Sequence, residues 1–415
     1  MEILKLKNSV LTENEILDKF KYKNVDNEWS FSEYKQSDTS KWTNCYHRYP
    51  AKFIPQLVEK LFDEYIKTQN AHINDPFMGS GTTLVSAIAR GYKASGTDIN
   101  KIAYLMTKVK TTPIEPIYLN EKIEKFLKSI YCINKSIEPL IPENHKNRID
   151  YWFREEEKYE LGKILRIIYS EIDDKVKDFL LVAFSNILKN CSIWLQGSTK
   201  PTRDFKKIPN KPFEVLKKHL KKMQIGNYNF YKIVPSKVKN NIIDYLNIGI
   251  YDARNQPVPD ASVDLIISSS PYVTSYEYAD LHQLSTIWLD LADNLNEYKK
   301  DFIGTSYKVH KDKKLRSKIA IDIVNNMYKK SKKFSKEIEA FFIDMEEVFD
   351  ESYRILKYGG RCCYVIGDTK LKGVDILNAE VFKESLKYSG FKIDRIIKRE
   401  ISLIILLQKG YKNAA

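Results

Sequence analysis

Apolar positions along this chain switch between two periods, and the switching predicts its architecture. His72 to Asn74, Ala94 to Thr97, Ile248 to Arg254 and Val263 to Ile267 have strand length and end in turn-forming residues. Between them, apolar residues recur at helical spacing. One such stretch runs from Pro55 to Phe62, with Pro55 suited to a first helical turn, and another from Thr82 to Arg90, closed by Gly91. Strand, loop, helix and strand in that order open a doubly wound α/β fold. From residue 112 to 241 the alternation stops. Glu155 to Ser170, Asp174 to Lys189 and Pro212 to Met223 all carry helical periodicity, which predicts a largely helical insertion. The α/β pattern then resumes, interrupted by a second insertion at roughly 285–336. A helix is predicted from Ser335 to Leu356, ending before Tyr358-Gly-Gly360. It is followed by a strand Arg361 to Ile366, a helix Ala379 to Ser389, and closing strands Phe391 to Arg395 and Glu400 to Gln408. The expected fold is therefore α/β with a doubly wound, mixed sheet. Residues 1–41 are polar and read as an N-terminal arm.

Charge narrows the partners. The 415 residues carry a net charge of +14, and the pI is about 9.1. Such a balance favours a polyanion, nucleic acid before a membrane. The five cysteines form no Cys-x-x-Cys pair and are odd in number, which argues against a zinc site or a disulfide framework. No apolar run approaches the ~18 residues of a membrane span. Met1 to Lys7 does not read as a signal peptide, so a cytoplasmic location is expected.

Two segments carry candidate chemistry. Asp75-Pro-Phe-Met-Gly-Ser-Gly-Thr-Thr83 is a glycine-rich turn between a strand and a helix. Gly79 and Gly81 let the backbone approach a ligand closely, and the helix behind them offers unpaired N–H groups. Asp98 ends the next strand, where a carboxylate can accept hydrogen bonds from ribose hydroxyls. The pattern is neither Gly-x-Gly-x-x-Gly nor a P-loop, so neither a nicotinamide dinucleotide nor a nucleoside triphosphate is the first expectation. The second segment, Ser269-Ser-Pro-Tyr272, follows the apolar run Val263 to Ile267.

Together these segments resemble the DNA amino-methyltransferases, which methylate an exocyclic base nitrogen. That family's catalytic pattern is Asp/Asn/Ser-Pro-Pro-Tyr/Phe, and here Ser270 stands in place of the first proline. His47-Arg-Tyr-Pro-Ala-Lys-Phe53, Leu356 to Arg361 leading into Tyr364 to Asp368, and Tyr278-Ala-Asp280 through Trp288-Leu289 resemble further family segments. The resemblance implies a Rossmann-like methyltransferase fold and S-adenosylmethionine as cofactor. The catalytic domain would be split between 42–111 and 242–410, with 112–241 the candidate target-recognition region. It assigns Lys52, Phe53, Asp75, Pro76, Phe77, Gly79, Ser80, Gly81, Thr82, Thr83, Asp98 and Asp252 to the cofactor, Asp252 meeting the adenine amine.

The chemistry of the catalytic segment follows from its target. An aromatic exocyclic amine is a poor nucleophile because its lone pair is delocalised into the ring. Ser269 and the Ser270 carbonyl can accept its two N–H bonds, Pro271 has no N–H to compete, and Tyr272 can stack on a base swung out of the duplex. A leading serine resembles the cytosine-N4 enzymes more than the adenine-N6 enzymes. An adenine-N6 enzyme, an RNA or tRNA base methyltransferase and an inactive DNA-binding relative stand as alternatives. Double-stranded DNA is the expected substrate, gripped by Lys200, Arg203, Lys206 and Lys207 of a basic loop and by the lysine-rich stretch 308–333. A separately encoded restriction endonuclease is the expected companion.

Overall fold

The computed structural model describes residues 12–21, 24–35, 37–49, 53–131, 137–198, 200–273, 278–303 and 313–399. After α1 (Glu13–Lys21) and three short 3-10 turns comes α2 (Pro55–Tyr65), with Pro55 in its first turn. The first α/β unit is β1 (His72–Asp75), α3 (Thr82–Arg90), β2 (Lys93–Thr97) and α4 (Lys101–Thr111). Gly81 and Gly91 bracket α3 in left-handed conformations, φ +73° and +76°, and Asn100 caps α4 by accepting from the Ile102 amide at 3.2 Å.

A helical block follows: α5 (Pro116–Tyr131), α6 (Lys146–Trp152), α7 (Glu155–Tyr169), α8 (Asp174–Ile187), α9 (Pro212–Ile233) and α10 (Ser236–Asn240). The sheet is completed by β3 (Leu246–Gly249), β4 (Val263–Ser268) and, later, β5 (Leu356–Tyr364). Between β4 and β5 run α11 (Tyr278–Leu281), α12 (Gln283–Trp288), α13 (Leu295–Lys300), α14 (Lys318–Tyr328) and α15 (Lys332–Ile355). A small antiparallel hairpin of β6 (Thr369–Leu371) and β7 (Val374–Ile376) precedes α16 (Asn378–Tyr388).

The five strands lie in the order β3-β2-β1-β4-β5, and every pairing is parallel. Strand order reverses between β1 and β4, so their carboxyl ends flank the crevice in which doubly wound sheets bind ligands. Helices pack on the sheet from α2 and α3 and from α15 and α16, as buried parallel strands require. One core unites α2, α3 and the inner sheet residues Ile73, Leu265 and Ile267, another is built by Phe341, Phe342, Phe349 and Phe382 of α15 and α16, and another fills the helical block around Phe179, Phe184 and Trp194. No described helix is long and apolar enough to cross a membrane.

Three sequence expectations are changed. The described part of the polar arm packs into the fold, because Ile16 joins the core of α14 to α16 and Trp29 is buried with Phe53 and Leu57. The helix expected at 212–223 continues to Ile233. Its end buries Phe230 against the sheet's own core, with Val234 and Val238 following, so the helical block does not stop at the sheet boundary. The stretch 391–395 forms no ladder among the described residues. A strand needs a partner, and the one expected for it, 400–408, lies outside them, as does the test of a mixed sheet.

Candidate active site

The site is assembled at the carboxyl ends of β1, β2 and β4. Asp75 closes β1 and is buried. Its carboxylate accepts from the Phe77 amide at 3.1 Å and from the Ser268 hydroxyl, the last residue of β4, at 2.7 Å. Burial pushes the Asp75 carboxyl up to about 7. This bond ties the glycine loop to the strand that carries Ser269.

The glycine loop is shaped by contacts from behind. Gly79 and Gly81 have φ of +48° and +73°, where a side chain is strained. A Cβ on Gly79 would come within 3.2 Å of the Tyr49 hydroxyl, and one on Gly81 within 2.7 Å of Thr107 Oγ1. Thr107 of α4 donates to the Gly79 carbonyl at 3.0 Å, and the fully buried Lys110 ammonium donates to the Ser80 carbonyl. Asp98, at the tip of β2, accepts from the Gly79 amide at 3.0 Å and the Asn100 amide at 2.9 Å, and burial raises its carboxyl to about 6. Tyr298 of α13 lies over the same turn, its hydroxyl accepting from the Lys101 amide at 2.8 Å.

This cradle fits the methionine and ribose ends of S-adenosylmethionine. It has two positions where only glycine fits, a carboxylate at the strand end, and the buried Thr82 hydroxyl, which has no partner among the described residues. Pro76, Ser80 and Thr83 are buried around it, whereas Phe77 packs toward the α14–α16 core and Phe53 toward the α2 core. Lys52 lies outside the described residues. Asp252 follows β3, but Arg254 engages its carboxylate through Nε at 2.9 Å and through a terminal nitrogen at 2.5 Å, while also reaching the buried Asp344. The structure thus gives Asp252 a strong partner within the chain, which the expectation of a bond to adenine did not include.

Ser269 and Tyr272 line one large cleft, together with His47, Tyr49, Phe53 and His282. Tyr272 lies against Gly367, where a Cβ would sit 3.3 Å from its ring. Ser270 is buried, and its hydroxyl has no partner among the described residues. Pro271 is half-buried between them. His282 stacks on Tyr49, with centroids 5.0 Å apart, and burial depresses its imidazole to about 4, so it is neutral and packed at physiological pH. Nearby, His47 bonds Ser185 of α8 at 2.9 Å, and Ser185 bonds Ser285 of α12 at 2.7 Å. The segment 47–49 is thereby locked to the helical block and to the chain following the catalytic loop. Thr107, Lys110 and Tyr298 were not legible as site residues, because nothing local marks them and the fold alone brings them to the glycine loop; Tyr49 lies in the 47–53 segment that the resemblance marked, without a role assigned to it.

The DNA methylase family profile matches residues 2–108, which include the glycine loop and Asp98. A Type II methyltransferase, M.MvaI of Kocuria varians, is 29% identical over 405 residues, covering 89% of this chain and 87% of its own length. The profile match and the similarity along most of the chain support a DNA amino-methyltransferase of restriction-modification type. M.MjaII of Methanocaldococcus jannaschii is 34% identical over 114 residues, 28% of this chain and 20% of its own length. M.BsoBI of Geobacillus stearothermophilus is 20% identical over 421 residues, 85% of this chain and 80% of its own length. No solved structure matches the chain.

For a DNA methyltransferase the basic loop after α8 is the feature to place. It folds back on itself through an antiparallel bridge between Trp194 and Arg203. Lys200 and Lys206 are exposed, as expected of phosphate ligands. Lys207 is not. Its ammonium donates to the Lys189 and Trp194 carbonyls, each at 2.8 Å, and partial burial lowers it to about 8, so it staples the loop instead. Arg316 of the lysine-rich stretch is likewise committed within the chain, to Glu346 at 3.2 Å and Asp350 at 3.0 Å. Lys308 and Lys311 lie outside the described residues.

Proposed function

We propose that this methyltransferase modifies the exocyclic N4 of cytosine within a specific site in double-stranded DNA. S-adenosylmethionine, when bound, supplies the methyl group. The observation that carries the reading is the serine at the head of the catalytic segment. Ser269 directly follows Ser268, whose hydroxyl is anchored on Asp75 of the cofactor loop, so acceptor and cofactor cradle share one hydrogen-bonded frame.

Asp75, Pro76, Phe77, Gly79, Ser80, Gly81, Thr82 and Thr83 form the cradle, with Asp98 accepting from the ribose. Lys52 pairs with the methionine carboxylate, Phe53 packs beside it, and Asp252 completes the adenine side. The Ser269 hydroxyl oxygen and the Ser270 carbonyl accept hydrogen bonds from the two N–H groups of the amine, which favours a pyramidal nitrogen with its lone pair directed at the incoming methyl; one N–H proton is then lost to water, and the methylated nitrogen keeps the other. Tyr272 stacks on the extruded base. Catalysis rests on alignment and on acceptors placed in advance, and no covalent enzyme intermediate is required. Lys200 and Lys206 supply phosphate contacts, a separately encoded nuclease would read the same site, and the work is done in the cytoplasm.

The test is transfer of labelled methyl from S-adenosylmethionine to unmethylated genomic DNA, with mass spectrometry of the nucleosides. N4-methylcytosine is the expected product. N6-methyladenine would overturn the base assignment, and label in tRNA but not in DNA would overturn the substrate class.

A further inference from the structure

We propose that Arg203 is a base-reading residue that recognises the major-groove edge of a guanine in the target site. This rests on the reading of the chain as a DNA methyltransferase and adds the chemistry of target choice to it.

The guanidinium of Arg203 lies 4.1 Å over the ring of Tyr151 and 4.4 Å over that of Phe205. Among the described residues it makes no hydrogen bond or ion pair, and its Nε is buried without a partner. A planar group with five donors is thus held in place by aromatic faces alone, with its hydrogen-bonding capacity unspent.

The support beneath the guanidinium is stiff. The loop is closed by Leu195 N to Thr202 O at 2.8 Å and Asp204 N to Ile193 O at 2.7 Å. Trp194 stacks on Trp152 with centroids 5.0 Å apart, Arg154 donates to the Lys207 carbonyl at 2.8 Å, and Lys207 pins the loop from inside. The strand opposite Arg203 in this turn, through Trp194 and Gln196 to Ser198, lines the same cleft as Ser269 and Tyr272. A duplex delivering a base to Tyr272 therefore passes this loop.

The surroundings favour a base edge over a phosphate. Phe205 is 69% exposed, Ile208 84% and Tyr151 46%. Apolar side chains around a fixed guanidinium suit a groove floor that offers guanine acceptors and thymine methyls, whereas the backbone offers only charge. The exposed lysines 200 and 206 already carry the charge that phosphates attract. A guanidinium matches the O6 and N7 acceptors of guanine in a bidentate geometry, and that contact discriminates between bases.

The experiment first maps the modified site by sequencing DNA methylated by the wild-type chain. It then measures methylation of duplexes in which each guanine of the site is replaced in turn by 7-deazaguanine, which lacks the N7 acceptor. The wild type is expected to lose on the order of tenfold or more at one guanine. Arg203→Ala should be slower on the unmodified duplex, indifferent to that replacement, and relaxed toward other bases at that position. Arg203→Lys should keep the charge without restoring the discrimination, and thermal melting checks that both variants fold. A site without guanine, or equal 7-deazaguanine sensitivity in wild type and Arg203→Ala, would overturn the inference while leaving the methyltransferase reading intact. A uniform loss across sequences with a salt slope smaller by about 0.9 would overturn it in favour of a phosphate contact. No methyl transfer to DNA by the wild type would overturn the reading on which it rests, and the inference with it.

Discussion

Gly81→Ala tests how the cofactor loop is held. At φ +73° an alanine is strained by about 1–2 kcal/mol. Its Cβ would also lie 2.7 Å from Thr107 Oγ1 and 2.8 Å from Thr107 Cγ2, so the threonine must turn away. Turning breaks its 3.0 Å bond to the Gly79 carbonyl, a further loss of about 1 kcal/mol. The expected cost is therefore about 2–3 kcal/mol of stability, accompanied by weaker cofactor binding because the loop itself is displaced. Thr107→Ala alone should cost about 1 kcal/mol through the same bond. The double variant removes the clash and cannot lose that bond twice, so it should be milder than the sum of the singles by about 1 kcal/mol. Urea unfolding of the four proteins gives the cycle, and calorimetry with S-adenosylmethionine gives the binding. Additivity within about 0.3 kcal/mol would refute the argument, since sites that do not touch behave that way.

Three other outcomes follow from the site. Asp98 has a carboxyl raised from 3.8 to about 6, so its ionisation works against the fold: its contribution to stability is full below 3.8 and lost as pH rises through 6. Cofactor binding runs the other way, because ribose hydroxyls need the carboxylate. Affinity should fall about tenfold between pH 7 and 5, and Asp98→Asn should abolish that step while leaving any step near 7 from Asp75, as titration calorimetry across pH would show. Ser269→Ala should lower kcat by roughly 10²–10³ with cofactor affinity unchanged, and a variant within threefold of wild type in single turnover would remove Ser269 from the chemistry. Lys207→Ala should lower the melting temperature and leave the salt dependence of DNA binding intact, whereas Lys200→Ala and Lys206→Ala should each reduce the salt slope by about 0.9 and leave melting unchanged.

The sequence was most informative where local physics dominates. Strand-length apolar runs, the glycines that must adopt positive φ, and Asp98 at a strand tip could all be read in one dimension, because the constraint lies in the residue itself or in its immediate neighbours. The position of Ser269 at the end of a buried run was legible for the same reason. Contacts between distant segments were not. Lys110 looks like any helix lysine until α4 is laid behind the glycine loop, where its ammonium meets the Ser80 carbonyl. Lys207 and Arg203 read alike in a basic loop, yet folding spends the donors of one on backbone carbonyls and leaves those of the other, between aromatic rings, without a partner among the described residues. Asp252 read as a carboxylate with no partner of its own, whereas the fold pairs it with Arg254, which Asp344 holds in turn. Most element types, and the place of the two motifs at strand ends, were thus legible in local sequence. Which polar groups remain available to a ligand was decided by the tertiary structure, because burial and competition for hydrogen-bond partners are set by segments that meet only in the folded chain.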